Sequence, residues 1–289
     1  KALSPTQLGY LSTDQIVALT TTQFRSLSSD QLNSLSADAI SAIETADIAA
    51  ITTPVLTSFT QISNLNSQQI SALTNAQVRA LSVGQLQSLS TDQYASLTAG
   101  EIGNLSSDQV AALTTSGIAV FSSLQIQAIP PTAITALDLT NLSTLQLSAV
   151  TSNQASALST TQINNLSAPS LSALSGAAIS AIAPQTITAI STQTSNLSTA
   201  QIAALTSAQV QALTTVQINA MSVDQISSIS ASGIGALTTD QVTGLTAAID
   251  LLAGLTTAQI PALGTANVAK LSAAQLNALS TAQINSLSG

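Results

Sequence analysis

Serine and threonine hydroxyls are the commonest groups in this chain with any chemistry to offer, and as nucleophiles they need a neighbouring base. The 289 residues contain no His, and the only lysines are Lys1 and Lys270. Neither a Ser-His-Asp nor a Ser-Lys arrangement can be assembled from that inventory. Paired carboxylates are the next option, since two acids in different environments can divide general acid and general base work. The twelve acids are dispersed along the chain instead of converging in pairs. With no Cys, thiol catalysis, thiolate metal sites and disulfides are all absent. Calcium would need six to eight oxygens in a compact cage, and neither the EF-hand pattern nor a glycine-aspartate nonapeptide occurs. No catalytic, cofactor-binding or metal-ligating residue is therefore expected, no cofactor is implied, and the chain is not expected to be an enzyme.

The hydroxyls instead serve a frame that repeats every eight residues, L-[ST]-x-x-Q-[ILV]-x-[AS]. Its first column holds Leu3, Leu11, Leu19, Leu27, Leu35, Ile43 and Ile51, and about 36 such octads fill the sequence. If the column-two Ser or Thr is a helix N-cap, column five is the third helical position. Gln there (Gln7, Gln15, Gln23, Gln31, Gln201, Gln209) completes a capping box. The Leu of column one and the Ile or Val of column six then stand where a hydrophobic staple packs.

Rarer residues agree with that register. Pro5, Pro131 and Pro184 fall in column three, the first helical position, where a missing N–H costs nothing. Asp14, Asp30, Asp38, Asp92, Asp108, Asp224 and Asp240 share column four, while Arg25, Arg79 and Lys270 come late in their octads. Acids at the start and bases at the end are what the helix dipole favours.

One long helix is excluded, because an octad advances the Leu stripe by 80° and would carry it right round the cylinder. The spacing predicts an all-α solenoid of very short capped helices, each stabilised by its stacked neighbours rather than alone, with a β-solenoid as the alternative. Small residues in column eight, such as Ala18, Ala42, Ala72, Ala112, Ala204 and Ala212, permit close approach. The pairs Asp14/Asp30, Asp92/Asp108 and Asp224/Asp240, each sixteen residues apart, suggest two octads per coil; three is the alternative.

Residues 1–289 read as a single continuous repeat, with slips of frame near 59–65, 137–142, 190–197 and 245–255. The first three close on Asn-Leu, and Asn tolerates the left-handed backbone that a tight turn can require. Neutral drift and built bends or subdomain joints are equal readings of the slips. The chain begins "KALSPTQL" and ends "LSTAQINSLSG", both within the pattern, and is expected to be a processed product or a segment of something longer.

A net charge of -8 with four basic residues leaves no basic patch for phosphates, so nucleic acid is not an expected partner. No run approaches the 18 or so apolar residues of a spanning helix, so membrane insertion is not expected. Threonine ranks ("LTTTQ", "LTTDQ", "LTTAQ") offer a regular surface for ice, a glycan or a protein, and Asn104, Asn141, Asn165 and Asn196 match glycosylation acceptors.

The stretch "LSPTQLGYL" resembles the helix openings of TAL-effector repeats. Those units are about four times longer and read bases through a loop, which this chain has neither the length nor the positive charge to do. More of the chain is similar to the Ser/Thr/Ala/Gln-rich tandem arrays of large bacterial surface proteins and adhesins, where units like "LSTAQIAALTSAQVQAL" (197–213) recur. That resemblance implies export and a structural role at or beyond the cell surface, as an adhesin stalk or as the subunit of a filament, sheath or surface layer. The expected partner is then a second copy, joined head to tail or side by side; a surface or glycan ligand is the alternative.

Overall fold

The computed structural model describes residues 3–190, 193–245 and 252–287. Among them the chain forms thirty α-helices of four to six residues and five 3₁₀ helices, with no strand. The all-α reading therefore holds, and the β-solenoid alternative has no support.

Each octad folds as its columns dictate. In the helix Thr13–Val17 the N-cap Ser12 is extended, its hydroxyl accepts from the Gln15 N–H, and the Gln15 side chain accepts in return from the Ser12 N–H. The same reciprocal box recurs at Ser28/Gln31, Thr74/Gln77, Ser90/Gln93, Thr206/Gln209 and Ser272/Gln275. A box of this kind is worth about 1 kcal/mol. The helix then stops because the next two residues are extended. Leu97 (φ -59°, ψ 128°) is followed by Thr98 (φ -74°, ψ 157°), which is already the N-cap of the following helix. Two extended residues in succession make the corner.

The helices stack three apart, not two. Pro5–Gly9 packs on Ser29–Asn33, Thr13–Val17 on Ala37–Ala42, and Thr21–Arg25 on Thr45–Ala50. The same spacing joins Thr144–Ser148 to Ala168–Ala173 and Ser207–Ala212 to Ala231–Gly235. A coil is thus three octads, or 24 residues, and the expectation of two octads per coil is corrected. The sixteen-residue Asp pairs misled because column four answers to the dipole of its own helix and not to the helix stacked on it.

Columns one and six form the core. Ile40, Ile48, Leu56, Ile70, Val78 and Leu86 are buried in one stretch, and Ile163, Leu171, Ile179 and Ile187 in another. The chain divides into two compact units, Lys1–Leu137 and Asp138–Gly289. Each is a stack of such coils, and their boundary falls at the second slip.

The first three slips coincide with 3₁₀ helices: Ile62–Asn64, Leu139–Asn141 and Thr194–Asn196. Tightening from four residues per hydrogen-bonded turn to three shortens the octad while leaving its two apolar columns in place. Asn does not act by adopting the left-handed backbone. Among the described residues no residue but Gly264 has a positive φ, which corrects that expectation. The fourth slip, 245–255, falls largely on residues 246–251, outside the described residues, as do 191 and 192 in the third.

Candidate functional site

The most organised polar feature of the chain is column five, where capping is only half of what the glutamine does. Its Oε1 accepts from the N-cap N–H of its own helix, and its Nε2 donates to the coil beneath. Gln69 donates to the carbonyls of Ile40 and Ile43, both at 2.8 Å, and Gln77 to those of Ile48 and Ile51, again at 2.8 Å. In the second unit Gln201 reaches Leu171 and Leu174 (2.8 and 2.7 Å), and Gln209 reaches Ile179 and Ile182 (2.8 and 2.7 Å). One acceptor is a last-turn carbonyl that also accepts from the corner N–H, as Ile40 does from Ile43, and the other is the carbonyl of the corner itself, beyond the helix's own hydrogen bonds. One side chain thus closes the start of one helix and the end of another.

These amides are deeply buried, with Gln209 1% and Gln217 0% exposed, so the rungs are shielded from competing water. Their sequence spacing follows the slips. Over an unslipped stretch Gln109 donates 31 and 28 residues back, to Val78 and Leu81. Gln85, whose reach includes the 59–65 slip, donates 29 and 26 back, to Leu56 and Phe59. Gln259, beyond the 245–255 slip, donates 33 and 30 back, to Ile226 and Ile229. Each of these changes of frame is absorbed inside one coil and the ladder realigns above it.

Sequence reasoning assigned column five to capping and missed the ladder. A signal was present: a capping box accepts Glu as readily as Gln, yet the sequence has only two Glu residues, and Glu101 alone stands in this column with an N3 box. A position that tolerates an acid but is filled with amides requires a donor.

Two rungs depart from the rule in instructive ways. Tyr94 replaces the usual aliphatic residue of column six; its ring tilts at 59° to that of Phe121 with centroids 6.3 Å apart, and its hydroxyl donates to the Leu86 carbonyl at 2.7 Å. Burial pushes its phenol pKa up, with hydrogen bonding to Thr114 opposing. The column-five residue of the helix above is Gly117, where a Cβ would lie 2.5 Å from the Tyr94 ring. The ring occupies the place of a rung. Glu101, the second departure, is 1% exposed; one carboxyl oxygen accepts from the Thr98 N–H, and the other, Oε1, has no hydrogen-bond partner. Burial raises its pKa, with the Thr98 hydrogen bonds opposing.

The residues weighed for chemistry are not brought together. Column-two hydroxyls are engaged in caps, as at Ser106 with Gln109 N (3.2 Å) and Thr206 with Gln209 N (3.2 Å). Asp14, Asp30, Asp92, Asp108, Asp224 and Asp240 sit in the first turns of separate helices. Among the described residues no group of three or more His, Cys, Asp or Glu is placed to hold a metal ion, and no helix is long and apolar enough to cross a membrane. Arg25 and Arg79 lie in last turns. Of the four NLS asparagines, Asn165 is exposed, while Asn104 is half-buried and donates to the Gly100 carbonyl at 2.7 Å. The largest difference between coils is at the first one, where Gln7, Gln15 and Gln23 are exposed and donate to no coil beneath. Leu3, Leu8, Leu19, Leu27, Gln23 and Gln31 line a hollow of about 160 Å³ on that face.

No curated protein matches the chain. The model of one family, the ALTTAQ repeat, matches residues 1–29, 40–83, 75–107, 191–223 and 252–289. Those letters follow the columns of the octad, from the small residue before the corner through the Leu, the N-cap and the first turn to the ladder glutamine. The matches together cover more than half of the sequence, so the chain belongs to the ALTTAQ repeat family.

Proposed function

We propose that the chain is a non-catalytic structural element, exported to the bacterial cell surface or beyond, whose coils stack to build a stalk or the subunit of a filament, sheath or surface layer. The observation that carries this reading is the one-way direction of the ladder. A coil that carries the column-five glutamines has a face of amide donors, and the coil beneath meets it with a face of carbonyl acceptors, so like stacks on like without a second kind of surface. The first coil presents its donors at Gln7, Gln15 and Gln23 beside exposed Leu3. The last described coil presents the carbonyls of Leu276 and Ile284, which accept from the N–H groups of Leu279 and Leu287, and the corner carbonyl of Leu279. A second copy docking head to tail would pair the two sets, and such a heterologous contact propagates into an open fibre unless rotation closes it. The resemblance to tandem arrays of bacterial surface proteins supports the location.

Sedimentation velocity over a wide concentration range tests the assembly. The expected result is a ladder of oligomers that grows with concentration, lost in the triple variant Gln7→Glu, Gln15→Glu, Gln23→Glu while helical circular dichroism persists. A wild-type chain that stays monomeric at the highest concentration would remove the filament reading. Release of the protein from intact host cells by external protease tests the location independently.

A further inference from the structure

Glu101 stands in the ladder between two ordinary rungs. Eight residues before it, Gln93 Nε2 donates to the Leu65 and Ser63 carbonyls at 2.6 and 3.1 Å; eight residues after it, Gln109 Nε2 donates to Val78 and Leu81, both at 2.9 Å. The same register sets Glu101 against the corner between them, at Ile70 and Leu73. Its helix, Ala99–Ile102, packs on Asn75–Ala80 beneath and on Ser123–Ala128 above. Oε2 keeps the capping half of the role by accepting from the Thr98 N–H, and the buried Oε1 occupies the donor's place with no partner.

A carboxylate oxygen there has only acceptors to face. A carboxylic acid has an O–H to give. We propose that Glu101 is a proton-operated latch: as the neutral acid it gives the single O–H of Oε1 to one carbonyl of the Ile70 and Leu73 corner, where an amide would serve both, and on ionisation it loosens that coil from the one beneath.

The surroundings supply no other means of neutralising the charge. Among the elements packed on it, the helix above carries no titratable side chain, and the helix beneath carries Arg79, which is exposed. Asp92 and Asp108, on the flanking helices, are exposed as well. A cation is a poor substitute for the proton. Metal–oxygen contacts of about 2.3–2.6 Å hold the ligand oxygens farther apart than the 2.6–2.9 Å that neighbouring rungs span. Desolvation acts in the same sense, because burial raises the carboxyl pKa. With the folded-state value above the unfolded one, stability from this group is present in full at acid pH and is lost as pH rises through the raised value.

The test compares the full chain with Glu101→Gln by hydrogen exchange at acid and mildly alkaline pH, using protection factors so that the intrinsic pH dependence of exchange cancels. In the wild type, protection of residues 75–80 and 99–102 should fall by about tenfold or more on going to alkaline pH, the loss expected when a buried group goes unsatisfied; in the variant it should not. Infrared spectroscopy of the wild type through a pH titration should show a protonated carboxyl band that fades as pH rises and that the variant lacks, a readout that does not depend on stability. Equal pH responses in the two proteins would overturn the latch. So would restoration of wild-type protection at alkaline pH by sodium or calcium chloride alone, which would identify a cation site.

Discussion

Two neighbouring coils of the first unit are held to the coils beneath them by different means. The helices Ser67–Ile70, Asn75–Ala80 and Val83–Gln87 each send a glutamine down: Gln69, Gln77 and Gln85 together place six hydrogen bonds of 2.8 Å on the coil below. The helices that receive those bonds, Ala37–Ala42, Thr45–Ala50 and Thr53–Thr57, send none, because column five there is Ala39, Asp47 and Val55. The second unit repeats the contrast. Gln201, Gln209 and Gln217 donate onto helices whose own column five is Ser170, Ala178 and Thr186. At both seams the apolar columns continue unbroken: Ile40, Ile48 and Leu56 are as buried as Ile70, Val78 and Leu86. Apolar burial is therefore the constant of the fold, and the ladder is an addition that fixes register and satisfies the corners.

The contrast can be broken most forcefully by spoiling a rung with charge. Gln77→Glu keeps the capping acceptor but turns the donor into an oxygen facing the Ile48 and Ile51 carbonyls. A loss of about 3 kcal/mol at neutral pH is expected, shrinking at acid pH as the carboxyl protonates. Urea denaturation at two pH values measures it. An intermediate effect is expected at Gly117, where Gly117→Ala forces a Cβ into the Tyr94 ring and should cost about 2 kcal/mol. The double variant Tyr94→Ile, Gly117→Gln should fold with an ordinary rung in place of the ring, and failure to recover stability would mean that more than the ring opposes a rung there. The smallest effect is a gain at the seam. Glu44 caps Thr45–Ala50 without a side-chain hydrogen bond, so Glu44→Ser should raise stability by about 0.5–1 kcal/mol, read as a small increase in thermal midpoint.

Sequence patterns exposed what happens inside an octad and concealed what happens between coils. Ser12 and Gln15 carry a complete helix-start signal in four residues, and the structure realises it bond for bond. Coil size is not encoded in any one column. It follows from the angle of a corner such as Leu97-Thr98, summed over three corners, and the exposed Asp14 and Asp30 have no part in it. The contracted octads were visible as slips, but their remedy, a 3₁₀ turn at Ile62–Asn64, depends on hydrogen-bond spacing that residue types do not specify. The ladder lay between these extremes, hidden because its partners are backbone carbonyls, which every residue possesses.

Three helices to the coil make the array unequally sensitive to rearrangement. Losing or gaining 24 residues would return every outward column to its old bearing, one storey lower or higher. Within a unit, a single octad lost would swing the later outward residues, Leu124 among them in the first, through a third of a turn. Genetic drift in array length should therefore be tolerated in multiples of three octads wherever the outside of the molecule is recognised, and in any multiple where only its reach matters.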